Sequence, residues 1–446
     1  MLDVCPLSLV DRCRNVNILT FLRAIETIGE AAGRMRARGE LEETMWRNTA
    51  SMFAAALSPF LLFGVAAAQD KAVKVGVLND QASVYSSITG PGSVAAARLA
   101  IEDMGGSMFG KPIELVYADH GHKPDVGSTI ARRWFDTEGV DAIFDIYSSG
   151  VALAVQGIAE QKNKILVVSM ASSRDIGGKS CSPNGMQWAN DGYEVANLTV
   201  KGSSGDKPTS WYFITVDYTA GHSIERDAQK IIEAGGGKFL GAVRFPLNSP
   251  DFSSFLLRAQ SSGAKNIGFI GGGADMTNAI KQAAEFEIGR TGQRFVPFSL
   301  TTVDIEALGN KATQGMPLVL SYYWDESEKT KAWAERFKKA FGKLPSDPQA
   351  NVYSAVLHYL KSVKAAGTTD TTAVLAKMKE MPVEDLFTSG ARIRADGRLM
   401  RDIYYAEAKK PDAMQGPTDL ITLVKKMPGS EAFVPADESE CKLLKK

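Results

Sequence analysis

Two histidines, His120 and His122, stand one residue apart beside Asp119, a spacing that could offer a metal ion two ligands. A structural or catalytic zinc needs three or four convergent ligands, and no cysteine or acidic cluster lies nearby to complete such a set. The pair is expected to be solvated loop histidines, and no metal or other cofactor is expected. The chain has no G-x-S-x-G elbow, no H-E-x-x-H helix and no complete G-x-x-x-x-G-K-[ST] phosphate loop. "GGGADM" (271–276) lacks the G-x-G-x-x-G spacing, so its glycines point to a tight turn or a close backbone approach to a ligand. No nucleophile, base and orienting group come together, and an enzyme is not expected. What remains is small hydroxyl residues where apolar runs end. Ser148-Ser149 follow "DAIFDIY", and Ala171-Ser172-Ser173 follow "LVVSM". Serine hydroxyls and free backbone N–H groups at a helix start make a neutral anion site, which suits a carboxylate. One such serine reads equally well as a helix cap. Two pairs at the ends of neighbouring strands favour a ligand site.

The elements that carry these residues alternate. Strand-like runs at 72–80, 112–120, 140–149 and 164–173 are separated by amphipathic helical runs at 90–106, 126–139 and 150–163. The pattern breaks over 174–191. It resumes with a helical run from Tyr193, strands at 210–217, 238–246, 264–273 and 294–300, and helices at 223–236, 251–263 and 274–289. Helices at 328–341, 349–366 and 371–380 follow, and a hairpin-like pair at 390–408 turns at Asp396-Gly397. Strand–helix alternation predicts an α/β fold with two doubly wound parallel-sheet lobes. Ligands in such sheets sit outside the carboxyl ends of the strands, so two facing lobes place a cleft between them.

With 51 basic against 51 acidic side chains and 44% hydrophobic residues, the composition is that of an ordinary globular protein. Zero net charge gives no electrostatic case for nucleic acid or a membrane surface as partner. Ser51 to Val65 is apolar apart from Ser58-Pro59 and Gly64, too short to span a bilayer. Arg47 flanks it, and Ala66-Ala67-Ala68 follows, which predicts a signal peptide starting at Met45 or Met52 and cleaved before Gln69. Residues 1–44 are then a long leader extension or the product of an upstream start codon, and they are left out of the fold. An exported chain keeps two cysteines, Cys181 and Cys441. In an oxidising compartment they suggest one disulfide, the alternative being two buried free thiols.

The segments "VKVGVLND…YSSITGPGSVAAARLAIED", "YSSGVALAV", "VVSMASS", "DYTAG" and "GARIRADG" together resemble the periplasmic substrate-binding proteins of ABC importers, of the leucine/isoleucine/valine-binding type. The resemblance runs over 72–441. It implies a type I periplasmic binding fold with a three-crossover hinge: 69–190 and 322–405 in lobe one, 191–321 and 406–446 in lobe two. It implies a ligand carboxylate held by Ser148 and Ser173, with backbone at Ser149 and Ala171. Tyr85 then lines the cleft, and Tyr218 closes over the ligand from lobe two. Two departures stand out. The loop that carries an ammonium-binding acid in amino-acid binders offers Thr301 and Thr302 here, with an acid only at Asp304. Gly272 stands where an aromatic ring often packs on the ligand, leaving room. Both favour a bulkier carboxylate, as in the relatives that bind aromatic acids. The resemblance thus implies a monomer that captures a small carboxylate, an aromatic acid by this reading, and delivers it to ABC permease subunits. The alternatives are branched-chain amino acid binding and a ligand sensor for a membrane kinase or chemoreceptor.

Overall fold

The computed structural model describes residues 71–205 and 208–444. The leader expected up to Ala68, with its cleavage before Gln69, lies outside the described residues. Parallel strands β1 (Lys74–Asn79), β4 (Glu114–Asp119), β5 (Ala142–Asp145), β6 (Ile165–Val168) and β7 (Gly185–Gln187) make the first sheet, in the order β4-β1-β5-β6-β7. A small hairpin of β2 (Ser107–Met108) and β3 (Lys111–Pro112) precedes β4. "AIFD" and "ILVV" of β5 and β6 are buried at every residue, as befits a parallel sheet covered on both faces. Gly76 in β1 is required by this packing, because an added Cβ would stand 2.6 Å from the Trp134 ring.

Helices Gly90–Asp103, Pro124–Asp136 and Ser149–Gln161 connect these strands. Helices Glu328–Phe341, Asp347–Ala366 and Thr371–Glu380 come much later in the chain yet pack on the same lobe. Val352, Val356 and Leu360 share one core with Val75, Val94 and Trp188. The second lobe holds β8 (Ser210–Val216), β9 (Lys238–Phe245), β10 (Asn266–Ile270) and β11 (Arg294–Pro297), parallel in the order β11-β10-β8-β9. Helices Thr219–Ala234, Ser253–Ser261 and Gly273–Glu285 pack against them.

The expected hairpin at 390–408 needs correction. Only β13 (Arg392–Ile393) and β14 (Leu399–Met400) pair around Asp396-Gly397. The remainder, β15 (Ile403–Ala408), lies antiparallel between β12 (Pro317–Leu320) and β16 (Ile421–Met427), and this three-stranded sheet joins the core of the second lobe. β7 and β16 were not foreseen. β7 is three residues long, too short to show a period.

The chain crosses between lobes three times: between β7 and β8, after β12, and between β14 and β15. Two buried arginines tie these crossings together. Arg398 pairs with Asp191 at 2.7 Å and donates to Gln187 Oε1 at 2.5 Å, joining the first and third. Arg401 donates to the Ser321 carbonyl at 2.9 Å and to Asn351 Oδ1 at 2.7 Å, joining the second and third. Arg398 is ion-paired and Arg401 is held by neutral oxygen acceptors, so both guanidinium groups link crossover segments at the hinge. The C-terminal tail ends against the first lobe, where Cys441 is bonded to Cys181. Among the described residues no helix is long and apolar enough to cross a membrane.

Candidate functional site

β1 ends at Asn79, and the next residue, Asp80, is fully buried. Its carboxylate accepts from the backbone N–H groups of Ser83 (2.7 Å) and Tyr85 (2.9 Å) and from the Ser83 hydroxyl (2.7 Å). His122 Nε2 lies 3.3 Å away. Burial alone would raise the Asp80 pKa, but the hydrogen bonds from His122, Ser83 and Tyr85 outweigh it and hold the carboxyl well below its usual range. A turn fixed in this way delivers Tyr85 into the cleft. The Tyr85 hydroxyl lies 3.0 Å from the Tyr218 hydroxyl of the second lobe, and its ring lies 4.8 Å from both Tyr147 and His122. Burial pushes the Tyr218 phenol up to about 12 against the opposing hydrogen bond from Tyr85, so the pair is neutral. The expected solvated histidines are thus structural. His120 is fully buried, with its pKa lowered to about 4 by burial and by neighbouring His122. Among the described residues no group of three or more potential metal ligands occurs.

After β5 the backbone enters the left-handed region at Asp145 (φ 83°) and Ile146 (φ 49°). Such residues cost of order 1–3 kcal/mol each and persist only where the surroundings fix them. Here Asn79 Nδ2 donates to the Asp145 carboxyl at 2.8 Å, and the Ser169 hydroxyl donates to its other oxygen. The twist aims Tyr147 at Tyr85 and places Ser148 at the head of helix Ser149–Gln161.

That helix opens without a side-chain cap, and so do Thr219–Ala234 after Tyr218 and Gly273–Glu285 after Gly272. Among the described helices of eight residues or more, Asp191, Ser327, Ser346 and Asp370 cap theirs. Three more, Gly90–Asp103, Pro124–Asp136 and Ser253–Ser261, also lack a side-chain cap, but Pro91 and Pro124 lie in the first turn of two and Asp251 accepts from Ser253 N–H at the third. The ends at Ser149, Thr219 and Gly273 converge. A Cβ on Gly150 would lie 3.9 Å from Thr219 Oγ1, and one on Gly272 would lie 3.2 Å from Tyr85 Cε1 and 3.9 Å from the Tyr147 hydroxyl. The positive dipole ends of these helices and their first-turn N–H groups suit an anion, although in the third the Ala274 N–H already donates to the Val84 carbonyl at 3.3 Å.

The residues expected in the site fall into three groups. Tyr85, Tyr218 and Gly272 meet at the contact between lobes. Ser148, Ser149, Ala171 and Ser173 are buried at the ends of β5 and β6, where Ser149 Oγ accepts from Ser173 N–H at 3.1 Å. Ser173 Oγ in turn accepts from Asp175 N–H at 3.3 Å, and the Ala171 carbonyl accepts from Gln187 at 3.4 Å. Thr302 lines a separate cavity on the hinge side, with Tyr147, Ser172, Asn190, Tyr322 and Asp347. That cavity is narrow: about 40 Å³ is open to the centre of a water-sized sphere.

Two expectations change. The room left by Gly272 is filled by the Tyr85 ring. Asp304 does not turn to the cleft. Its carboxylate accepts from Thr301 N–H (2.9 Å) and Oγ1 (2.7 Å), capping its own helix Thr302–Leu308, and burial raises its pKa to about 6. Tyr147 was missed although it adjoins Ser148. Asn190, Tyr322 and Asp347 were missed because they lie at or beside crossovers, where no period or motif marks them.

The sequence profile of a family described as periplasmic binding protein matches residues 72–413. A periplasmic binding protein from Burkholderia mallei has a solved structure of similar fold, with a TM-score of 0.81 and 38% identity, covering 83% of this chain and 99% of its own. A branched chain amino acid ABC transporter periplasmic ligand-binding protein from Burkholderia xenovorans is also 38% identical, with a TM-score of 0.75 and coverage of 83% and 100%. An ABC transporter solute-binding protein from R. palustris, solved with benzoate, shares the fold at 20% identity, with a TM-score of 0.73 and coverage of 83% and 100%.

Proposed function

We propose that this chain, which belongs to the periplasmic binding protein family, captures a small carboxylate between its lobes and hands it to an ABC permease. Proteins of this family bind solutes rather than transform them. The observation that carries the reading is the convergence of three uncapped helix N-termini on the Tyr85–Tyr147–Tyr218 group. Ser148 and Ser173, with the N–H groups at Ser149, hold the carboxylate in lobe one, and Tyr218 and the Gly271–Gly273 turn close from lobe two.

An aromatic acid is the preferred ligand for two reasons. The walls are aromatic, with Tyr85, Tyr147, Phe298, Tyr322 and Trp324 around the cleft and its inner cavity. The acid that could have paired with an α-ammonium, Asp304, is committed to its own helix. The benzoate complex of the R. palustris protein is compatible with this choice but, at 20% identity, is a likeness of fold alone.

Removing one charge-assisted hydrogen bond costs about 1.5–3 kcal/mol, on the order of ten- to a hundredfold in affinity. Ser148→Ala and Ser173→Ala are each expected to weaken binding of the best aromatic acid by that factor, measured by calorimetry, with unchanged melting temperature. Exposed Ser261→Ala is the control. Wild-type affinity in both variants would place the carboxylate elsewhere. Because Asp304 caps its own helix, Asp304→Asn should matter little to ligand affinity; leucine binding that is lost in this variant would show that the acid reaches an α-ammonium after all and would favour the amino acid reading. Export is expected to remove the leader, and N-terminal sequencing of periplasmic material should begin at Gln69; finding residues 1–44 attached would refute that start.

A further inference from the structure

Asp347 opens helix Asp347–Ala366 beside the second crossover. Its Oδ1 accepts from Ser321 Oγ at 2.7 Å, Ser321 N–H at 3.2 Å and Asn351 Nδ2 at 3.0 Å. Its Oδ2 is buried with no partner in the protein. Asn190 is 2% exposed. Its amide nitrogen donates to the Val319 carbonyl at 3.0 Å, which leaves Oδ1 buried and unpaired. The Tyr322 hydroxyl is likewise buried and unpaired, on a ring held by Trp333 at 5.7 Å and Phe387 at 4.9 Å. All three residues line the hinge-side cavity.

Buried polar atoms are almost always hydrogen-bonded, and four unpaired ones on residues lining one cavity, the Tyr323 hydroxyl being the fourth, call for an explanation. An amide oxygen can only accept, and so can a carboxylate in its ionised form; burial raises the Asp347 pKa, while the Ser321 and Asn351 hydrogen bonds and the Arg401 charge favour the ionised form, and a phenol can turn either way. The cavity therefore asks for donors. About 40 Å³ of it is open to the centre of a water-sized sphere, enough for a small donor group at this wall. Arg401 donates to Asn351 Oδ1 and to the Ser321 carbonyl, two residues that also hydrogen-bond Asp347, and its charge favours the ionised carboxylate, so a cationic ligand is not needed to balance it. Tyr147 lines this cavity and also packs on Tyr85, so a ligand lying along its ring reaches from the helix N-termini to the cavity.

We propose that the hinge-side cavity recognises a hydrogen-bond donor on the ligand, a hydroxyl or amino group remote from its carboxylate, through Asp347 Oδ2, Asn190 Oδ1 and the Tyr322 hydroxyl. The proposal rests on the reading that the carboxylate is held at the helix N-termini.

The test uses three pairs that differ only in the donor: benzoate and 4-hydroxybenzoate, hexanoate and 6-hydroxyhexanoate, benzamide and 4-hydroxybenzamide. Calorimetry on the mature protein should show at least one donor-bearing member binding tenfold or more tighter than its partner. Asp347→Asn should abolish that preference and Tyr322→Phe should reduce it, each leaving the donor-free partner within twofold of wild type. Equal affinity within every pair, or a preference that survives both variants, overturns the proposal and assigns the cavity to water. If Asp347→Asn fails to fold, Tyr322→Phe removes a single atom and decides alone. Binding of 4-hydroxybenzamide with this dependence, while no carboxylate binds, would keep the donor subsite and sink the carboxylate reading. Binding by none of the six sinks both.

Discussion

Gly273→Ala is expected to lower ligand affinity by roughly five- to a hundredfold while the protein stays folded. Gly273 has φ +58°, and a Cβ built on it would stand 2.1 Å from the Val84 carbonyl oxygen and 3.1 Å from Tyr85 Cδ1. Val84 and Tyr85 belong to the turn after β1 in lobe one, whereas Gly273 opens a helix of lobe two. The two effects of the added methyl separate. Left-handed backbone costs an L-residue about 1–2 kcal/mol whether the lobes are open or shut, so it lowers stability. The overlap with Val84 exists only when the lobes meet. Overpacking of that kind costs typically 1–3 kcal/mol, and it is subtracted from the closed, ligand-holding state alone. Gly263 supplies the control, with φ +66° and nothing within 4 Å of its Cβ position. Gly263→Ala should show the stability loss without the affinity loss. Calorimetry with the best carboxylate of a screen, and melting temperatures of both variants, make the comparison. If the two variants bind alike, the Val84–Gly273 contact does not belong to the ligand-bound form, and the closure described above is wrong.

The two-lobe plan was legible because parallel strands buried on both faces read as apolar runs, and "VGVL", "AIF" and "ILVV" are such runs. The ends of those strands were legible for the same reason, which brought Ser148, Ser149 and Ser173 into view. The inner cavity was not. Asn190, Tyr322 and Asp347 stand within five residues of one another nowhere in the sequence; three separate stretches of chain bring them to one wall. Asp347 sits in "SDPQ", where the local signal is a helix start, and it does begin a helix. Its second role depends on which oxygen Ser321 leaves unpaired, a tertiary fact. The hairpin at 390–408 failed by a related route. Its alternation identified strands correctly, but period two says nothing about partners, and the buried face of β15 found β12 and β16 in the other lobe. Asp304 came into view only through the resemblance, as the one acid on the loop that holds an ammonium in amino-acid binders. A capping box of Thr301 and Asp304 claimed it first, a pattern that "TTVD" already contains.

Reduction of the Cys181–Cys441 bond is expected to lower the melting temperature by on the order of 5 °C. The bond links residues 260 apart in sequence, so it closes most of the chain into a loop. In the chain-entropy account such a loop removes about 5 kcal/mol of freedom from the unfolded state, the dependence on length being logarithmic. For a protein of this size that corresponds to a shift of a few degrees. The tail is also held without the bond, since Arg394 donates to the Val434 carbonyl at 2.9 Å and Arg174 to the Glu438 carbonyl at 3.0 Å. Those contacts exist only in the folded state, so they keep the tail docked after reduction but leave the unfolded chain unconstrained. The reduced protein should therefore bind ligand as the oxidised one does and differ in stability alone. Cys441→Ser should reproduce the reduced melting temperature, and adding reductant to it should change nothing further. Thiol labelling of unfolded, unreduced protein exported to the periplasm should find no free cysteine. Two labelled thiols, or identical melting with and without reductant, would refute the cross-link.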